Sequence, residues 1–226
     1  MAFSDFTLAD VRPKFGLTLT PGDLFESVSP RDLPQSCREW LCRNGELGSL
    51  LNTTKGRCEI LIAPLLLAAR NLADVVTTLH IGAELTVDAP SGLAGECNYV
   101  FSHSPNQFFI DSPIVAVVEP EMNDPVVALP RLIAQMHAAR MYDERRTGSS
   151  GPIYGVVTSG VAWNFLLLEG ERVVFDYRPW SIREAPKILG ILLEMLEVPM
   201  TSTRVDPSPR PTTPTPTPSP TDTQHV

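Results

Sequence analysis

One strand-like segment constrains this chain more than any other. The apolar run from Ile114 to Val118 ends in the triplet Glu119-Pro120-Glu121. Side chains two residues apart on a strand point to the same face of the sheet. Another strand-like segment, 95–101, precedes this run, and a long helical pattern follows it. The sequence therefore predicts two acidic side chains on one face of a sheet, at the end of an apolar strand.

Residues 55–198 are predicted to form one domain with an ordered succession of elements. Helical spacing and apolar runs predict a helix at 57–72, strands at 79–87, 96–101 and 114–119, a helix at 127–142, a strand at 153–157, a hairpin of 163–168 with 173–175, and a helix at 182–196. Short connections favour a mixed sheet with helices on its faces, so the fold class is expected to be α/β. Pro120 has no N–H to donate, which favours a position for its strand near a sheet edge or bulge.

Two segments flank the domain. Residues 1–54 are predicted to be a helical arm that packs on the edge of the domain. A helix is predicted over 32–51, and because Gly45 and Gly48 weaken the helical pattern, this helix is expected to be short or broken. Residues 199–226 are rich in Pro and Thr and are predicted to be a disordered tail. Pro211 and Pro214 also fit the P-x-x-P spacing of a ligand for a proline-binding module.

The charge of the chain bears on its partners. Its 226 residues carry a formal net charge of −8, whereas proteins that grip a phosphate backbone usually present a basic face. Nucleic acid is therefore disfavoured, although Arg140, Arg145 and Arg146 form a candidate basic patch. Pro64 interrupts the longest apolar run, 60–69, which has about half the ~20 residues that span a bilayer. The N-terminus lacks an export signal, so a cytoplasmic protein without membrane contact is expected.

Several short sequences carry a resemblance to a known family. They are Cys58-Glu59-Ile-Leu-Ile-Ala-Pro64 in the first helix of the domain, Asn98-Tyr99 and Val117-Val118-Glu119 in two strands, Ala134-Gln135-Met136 in the second helix, and Tyr154-Gly155-Val-Val-Thr158 in the next strand. In this order and spacing they resemble the PD-(D/E)XK, or restriction-endonuclease-like, superfamily, in particular small uncharacterised bacterial proteins abundant in cyanobacteria. The resemblance spans about 55 to 195 and implies an αβββαβ core.

The resemblance also implies the positions of a site. Asn98 stands where the family has a strand Asp, and Glu119 with Glu121 stands where it has Glu-x-Lys. Glu59 corresponds to a helix Glu near the metal, and Gln135 lies on the site-facing side of the second helix, which Arg131 shares at i, i+4 spacing.

The departures from that pattern decide the expected function. Two carboxylates hold Mg²⁺ in such sites, and a Lys helps to position the attacking water. Asn98 offers a neutral oxygen instead, and Glu121 places a negative charge where a positive charge would face the phosphate. The sequence therefore predicts a degenerate catalytic site, no cofactor, and a role in binding or assembly with a protein partner or a second copy.

Two alternatives stay open. Glu96 shares a strand face with Asn98, so Glu59, Glu96 and Glu119 could form a migrated Mg²⁺ site, with Glu119 and Glu96 as metal ligands, in a divergent nuclease. The other alternative is an interaction scaffold that uses the Pro/Thr tail and the N-terminal arm.

Overall fold

A computed structural model describes residues 2–197, and the predicted disordered tail, 199–226, lies outside these residues. The helices are α1 (Leu8–Phe15), α2 (Gln35–Leu50), α3 (Thr54–Arg57), α4 (Ala63–Leu72), α5 (Pro125–Thr147) and α6 (Ala185–Glu197), and a π-helical turn, Cys58–Ile62, joins α3 to α4. The strands are β1 (Thr18–Gly22), β2 (Thr78–Asp88), β3 (Leu93–Ser102), β4 (Ile114–Pro120), β5 (Ile153–Thr158), β6 (Ala162–Glu169), β7 (Arg172–Asp176) and β8 (Trp180–Ser181).

The eight strands form one mixed sheet. Its order is β1-β7-β6-β5-β4-β3-β2, with β8 paired to β6. β4 pairs in parallel with β5, and β1 pairs in parallel with β7, whereas the other neighbours are antiparallel. Helix α5 makes the crossover between the parallel strands β4 and β5, as parallel pairing requires. The predicted α/β class with a mixed, helix-flanked sheet is confirmed.

The helices cover both faces of the sheet. One core packs α2, α4 and α6 against Ala116 and Val118 of β4, and the other packs α1 and α5 against Ile114 and Val117. These four β4 residues are fully buried. The sheet is therefore the middle layer of the domain, and β4 is buried on both of its faces. A polar side chain at the end of β4 is consequently removed from water.

Pro120 was expected to mark a strand near a sheet edge or bulge, and the edge is wrong. The pairing of β4 with β3 does contain a register shift, between Phe101 and Ser102, but it lies at the other end of β4. β4 lies between β3 and β5, and Pro120 is its last residue. The next residue, Glu121, donates its backbone N–H to Thr158 O on β5 at 2.9 Å. The missing donor of proline is tolerated because it falls where the strand ends.

The N-terminal segment contributes to the sheet itself. β1 is an edge strand in register with β7, from Thr18 opposite Arg172 to Gly22 opposite Asp176, and α1 packs against α5. The predicted helix over 32–51 corresponds to α2, which is continuous through both glycines. A Cβ on Gly48 would lie 2.6 Å from Leu61 Cδ2, so this glycine permits close helix packing instead of breaking the helix.

Among residues 2–197, no helix is both long enough and apolar enough to cross a bilayer.

Candidate functional site

The site is built around Glu119, which is only 4% exposed at the end of β4. Its Oε1 accepts a hydrogen bond from Asn98 Nδ2 at 3.2 Å and lies 3.2 Å from Arg131 Nη1. Its Oε2 accepts a hydrogen bond from Gln135 Nε2, also at 3.2 Å. We call these four residues, Asn98, Glu119, Arg131 and Gln135, the Glu119 cluster. Both oxygens of the carboxylate are therefore engaged by protein groups.

Two local features of the fold bring the cluster together. In the antiparallel pairing of β3 with β4, Tyr99 lies opposite Val118, so the register brings Asn98 next to Glu119. Helix α5 supplies Arg131 and Gln135, which share a face at i, i+4 spacing. The predicted pairing of these two residues on one helix face is thus confirmed by their contacts with the same carboxylate.

The start of α5 is fixed independently. Asp124 caps the helix by accepting a hydrogen bond from Val126 N at 2.9 Å, and Pro125 occupies the first turn, where its missing N–H costs nothing. Arg131 Nη2 also donates to the backbone O of Glu96 at 3.1 Å. Through Arg131 the helix is therefore tied to both β3 and β4.

The environment perturbs the ionisation of Glu119. Burial raises the pKa of this carboxyl above its ordinary value, and the charge of Glu121 adds to the rise. The Arg131 guanidinium and the hydrogen bonds from Gln135 and Asn98 lower the pKa, but desolvation is the largest influence and the net direction is upward. The ionised form of Glu119 thus depends on its three partners.

The cluster contains two buried polar atoms without a hydrogen-bond partner among the described residues. They are Gln135 Oε1 and Arg131 Nε. Gln135 is fully buried, so its free carbonyl oxygen faces the protein interior at a cost in free energy. The cluster therefore engages both carboxylate oxygens of Glu119 but leaves one polar atom of Gln135 and one of Arg131 without a hydrogen bond.

The other predicted site residues lie outside the cluster. Glu121 Oε1 accepts a hydrogen bond from Asn123 N at 2.9 Å and so shapes the turn before α5. The Glu96 side chain is exposed and lies over Gly82 of β2, where Oε1 would be 3.6 Å from a Cβ at that glycine. Glu59 is exposed and lines a groove between α2 and α4. Within residues 2–197, no group of three or more His, Cys, Asp or Glu residues is placed to hold a metal ion.

Arg131 is the cluster residue whose role does not follow from the sequence pattern. Its spacing from Gln135 was visible, but its ion pair with Glu119 joins residues from a helix and a strand. A buried acidic residue at a strand end calls for a cationic partner, and the next helix is the nearest source. That rule would have named Arg131 as a candidate.

No protein-family model matches the chain, and no curated protein matches it.

Proposed function

We propose that the chain has a PD-(D/E)XK-like fold with a degenerate catalytic site and acts by binding or assembly instead of phosphodiester hydrolysis. One observation carries this proposal: Asn98, Arg131 and Gln135 occupy both oxygens of Glu119. In a metal-dependent nuclease the equivalent carboxylate is open to a cation and its water. Here the guanidinium of Arg131 takes the place of that cation.

The arrangement does not fit Mg²⁺ for a physical reason. Mg²⁺ prefers six oxygen ligands in near-octahedral geometry and keeps several of its waters. Glu119 is almost fully buried, and a cation within binding distance of Oε1 would meet the positive charge of Arg131, 3.2 Å from the same atom. Displacing Arg131 would also leave the carboxylate without its only ion-pair partner among the described residues. These costs support a structural role for the cluster.

The order of elements supports the fold part of the proposal. The run α4-β2-β3-β4-α5-β5 follows the αβββαβ order, with β4 and β5 parallel across α5. Glu119 lies at the end of the third strand of that run, where the family places its Glu. On this proposal the Glu119 cluster stands in for the family site, with a salt bridge in place of the metal.

The divergent nuclease is the alternative. It requires Glu59, Glu96 and Glu119 to converge on Mg²⁺, whereas Glu59 lines the α2–α4 groove and the Glu96 side chain lies over Gly82. The contact that Glu96 makes with the cluster is through its backbone O, which accepts a hydrogen bond from Arg131 Nη2. A migrated site would need both a new Arg131 position and a new Glu96 rotamer.

A cleavage assay tests the proposal. The full chain is incubated with single- and double-stranded DNA and RNA in Mg²⁺ or Mn²⁺, beside Glu119→Gln and the exposed control Glu46→Gln. We expect no metal-dependent cleavage by any of the three proteins. Cleavage by the wild type and by Glu46→Gln, but not by Glu119→Gln, would overturn the proposal and establish the nuclease.

A further inference from the structure

A cavity of about 410 Å³ opens on the α5 side of the sheet, where three separate elements meet. The last turn of α1 contributes Phe15, the start of β3 contributes Leu93, and α5 contributes His137 and Met141. The His137 ring stacks on Phe15 with the ring centroids 4.5 Å apart. The volume lies at the small end of the range of about 300–1,000 Å³ that is usual for ligand pockets. The cavity therefore suits a small molecule with an apolar part.

His137 has a hydrogen-bond donor to offer a ligand in this cavity. Its Nδ1 lies 3.2 Å from Arg140 Nη2, and because a guanidinium can only donate, Nδ1 is assigned as the acceptor. The hydrogen of the neutral ring is then on Nε2. Burial and the charge of Arg140 lower the pKa of His137 to about 4, which keeps the ring neutral near pH 7. The Nε2–H group is therefore the donor on the ring that lines the cavity.

Two opposite charges line the same cavity. Lys14 is exposed on α1, and its Nζ lies 5.1 Å from the centroid of the Phe6 ring, a cation–π contact that helps to position the ammonium group. Asp88, at the end of β2, is half-buried, and its carboxylate accepts hydrogen bonds from Ser91 N at 3.3 Å and from Ser91 Oγ at 2.8 Å. Among residues 2–197, no ion pair joins Lys14 to Asp88. A ligand that carries both a cation and an anion can therefore pair with both residues.

The origin of these groups favours one class of ligand. The ammonium group of Lys14 and the Nε2–H donor of His137 come from α1 and α5, which pack against each other, and both suit a carboxylate. The Asp88 carboxylate comes from the β2–β3 turn and suits an ammonium group. A carboxylate has about four acceptor positions, so the two bonds from Ser91 leave room for a further donor. A ligand with a single charge would leave either Lys14 or Asp88 without a counter-charge.

We propose that this cavity binds a free α-amino acid with an apolar side chain. The carboxylate of the ligand pairs with Lys14 and accepts a hydrogen bond from His137 Nε2, and its ammonium group pairs with Asp88. The apolar side chain of the ligand packs against the apolar lining, which is Phe15, Leu93 and Met141. This binding site goes beyond the role proposed for the Glu119 cluster and shares no residue with it, so the two proposals can fail separately.

NMR titration of the full chain with three phenyl compounds tests the site. L-Phenylalanine carries both charges, 3-phenylpropionate carries the carboxylate alone, and 2-phenylethylamine carries the ammonium group alone. The backbone amides of Ser91 and His137 report binding. We expect saturable shifts of both amides with L-phenylalanine. The dissociation constant of each singly charged compound should be about threefold to fivefold higher, which is the contribution of one partly exposed ion pair.

Two charge-neutralising variants separate the two contacts. Lys14→Met should weaken the binding of L-phenylalanine and 3-phenylpropionate but not that of 2-phenylethylamine. Asp88→Asn, which keeps an acceptor for Ser91, should weaken the binding of L-phenylalanine and 2-phenylethylamine but not that of 3-phenylpropionate. Lys55→Met and Asp32→Asn are the matched controls, because both residues are exposed and neither lines the cavity.

Two results would overturn this site. If the three phenyl compounds bind with equal dissociation constants, the cavity selects the ring and not the two charges. If neither L-phenylalanine nor L-leucine gives a saturable shift of the Ser91 and His137 amides, the cavity does not bind an apolar amino acid. Tighter binding of the doubly charged compound, with the opposite responses of Lys14→Met and Asp88→Asn, is the result that the proposal requires.

Discussion

Arg131 Nη1 lies 3.2 Å from Glu119 Oε1, and this contact joins α5 to the end of the central strand β4. The carboxylate is almost fully buried, whereas about a third of the Arg131 side chain is exposed. Removing the cation would leave a buried charge without compensation, which costs far more than losing a surface pair. The Arg131–Glu119 ion pair therefore bears both on the proposed function and on the stability of the fold.

Arg131→Met should destabilise the fold by about 2–4 kcal/mol at pH 7, since it removes the cation but keeps the aliphatic stem. Urea unfolding followed by circular dichroism measures the change. Arg43→Met is the matched control because Arg43 pairs with Glu39 at 3.9 Å on an exposed helix face, and its loss should cost at most about 0.5 kcal/mol. Adding Glu119→Gln to Arg131→Met should recover part of the loss. Equal effects at the two arginines would contradict a buried, strongly coupled pair.

The two glycines of α2 should respond in opposite directions to alanine. Gly48→Ala places a Cβ 2.6 Å from Leu61 Cδ2 and should destabilise the fold by about 1–3 kcal/mol. Gly45→Ala meets nothing within 4 Å and should stabilise it by about 0.5–1 kcal/mol, because alanine is the better helix former. Thermal and urea unfolding of the pair decide this. A stabilising Gly48→Ala would mean that α2 does not pack closely on the turn before α4.

Asp143 should make the protein less stable as pH rises through the mildly acidic range. The carboxylate is buried and accepts hydrogen bonds from Ile114 N, at 3.2 Å through Oδ1 and 2.9 Å through Oδ2. Burial raises the pKa of Asp143 from 3.8 to about 6. Between those values the folded state binds more protons than the unfolded state, so this residue's contribution to stability falls with rising pH.

The Asp143→Asn variant isolates that contribution. Its urea midpoint, measured from pH 4 to pH 7, should lack the downward component that the wild type shows over this range. Asp32→Asn is a suitable control because the Asp32 side chain is fully exposed and lies outside the surroundings of Asp143. If the difference between wild type and Asp143→Asn did not change with pH, the raised pKa of Asp143 would be refuted.

His137 should have the opposite pH dependence. Its ring stacks on Phe15 with centroids 4.5 Å apart, and Nδ1 lies 3.2 Å from Arg140 Nη2. Burial, with the charge of Arg140, lowers the pKa of His137 from 6.5 to about 4. Below pH 6.5 the unfolded chain gains a proton that the folded chain does not, so stability falls as pH falls toward 4. His137→Gln should remove this component, and NMR titration of the ring should show a midpoint near the lowered value. A midpoint at or above 6.5 would contradict the packing of α1 on α5.

The elements of the domain were predictable because their patterns are local. The helical spacing of α5 and the apolar run of β4 come from period and composition alone, and the structure places them within a few residues of the predicted bounds. Strand β1 was not predicted. Its sequence, Thr-Leu-Thr-Pro-Gly, shows no clear alternation, and it is a strand because β7, far along the chain, offers a free edge.

The site was predictable only in part. The strand register that places Asn98 beside Glu119 follows from adjacent strands, and the face shared by Arg131 and Gln135 follows from helical spacing. The rotation of α5 about its axis decides which acidic side chain contacts Arg131 and Gln135. This rotation is set by the packing of α5 against its neighbours, which the sequence does not reveal. The sequence therefore indicated the participants but not that Glu96 and Glu59 would face elsewhere.

Calorimetric titration of Mn²⁺ and Mg²⁺ into the full chain, beside Glu119→Gln, tests whether Glu119 holds a metal ion. We expect no saturable heat of binding at millimolar metal in either protein, because Arg131, Asn98 and Gln135 already hold the carboxylate. Saturable binding by the wild type that is lost in Glu119→Gln would refute a purely structural role for the cluster. Glu119 would then be a metal ligand, and the salt bridge with Arg131 would be a resting state of a nuclease site.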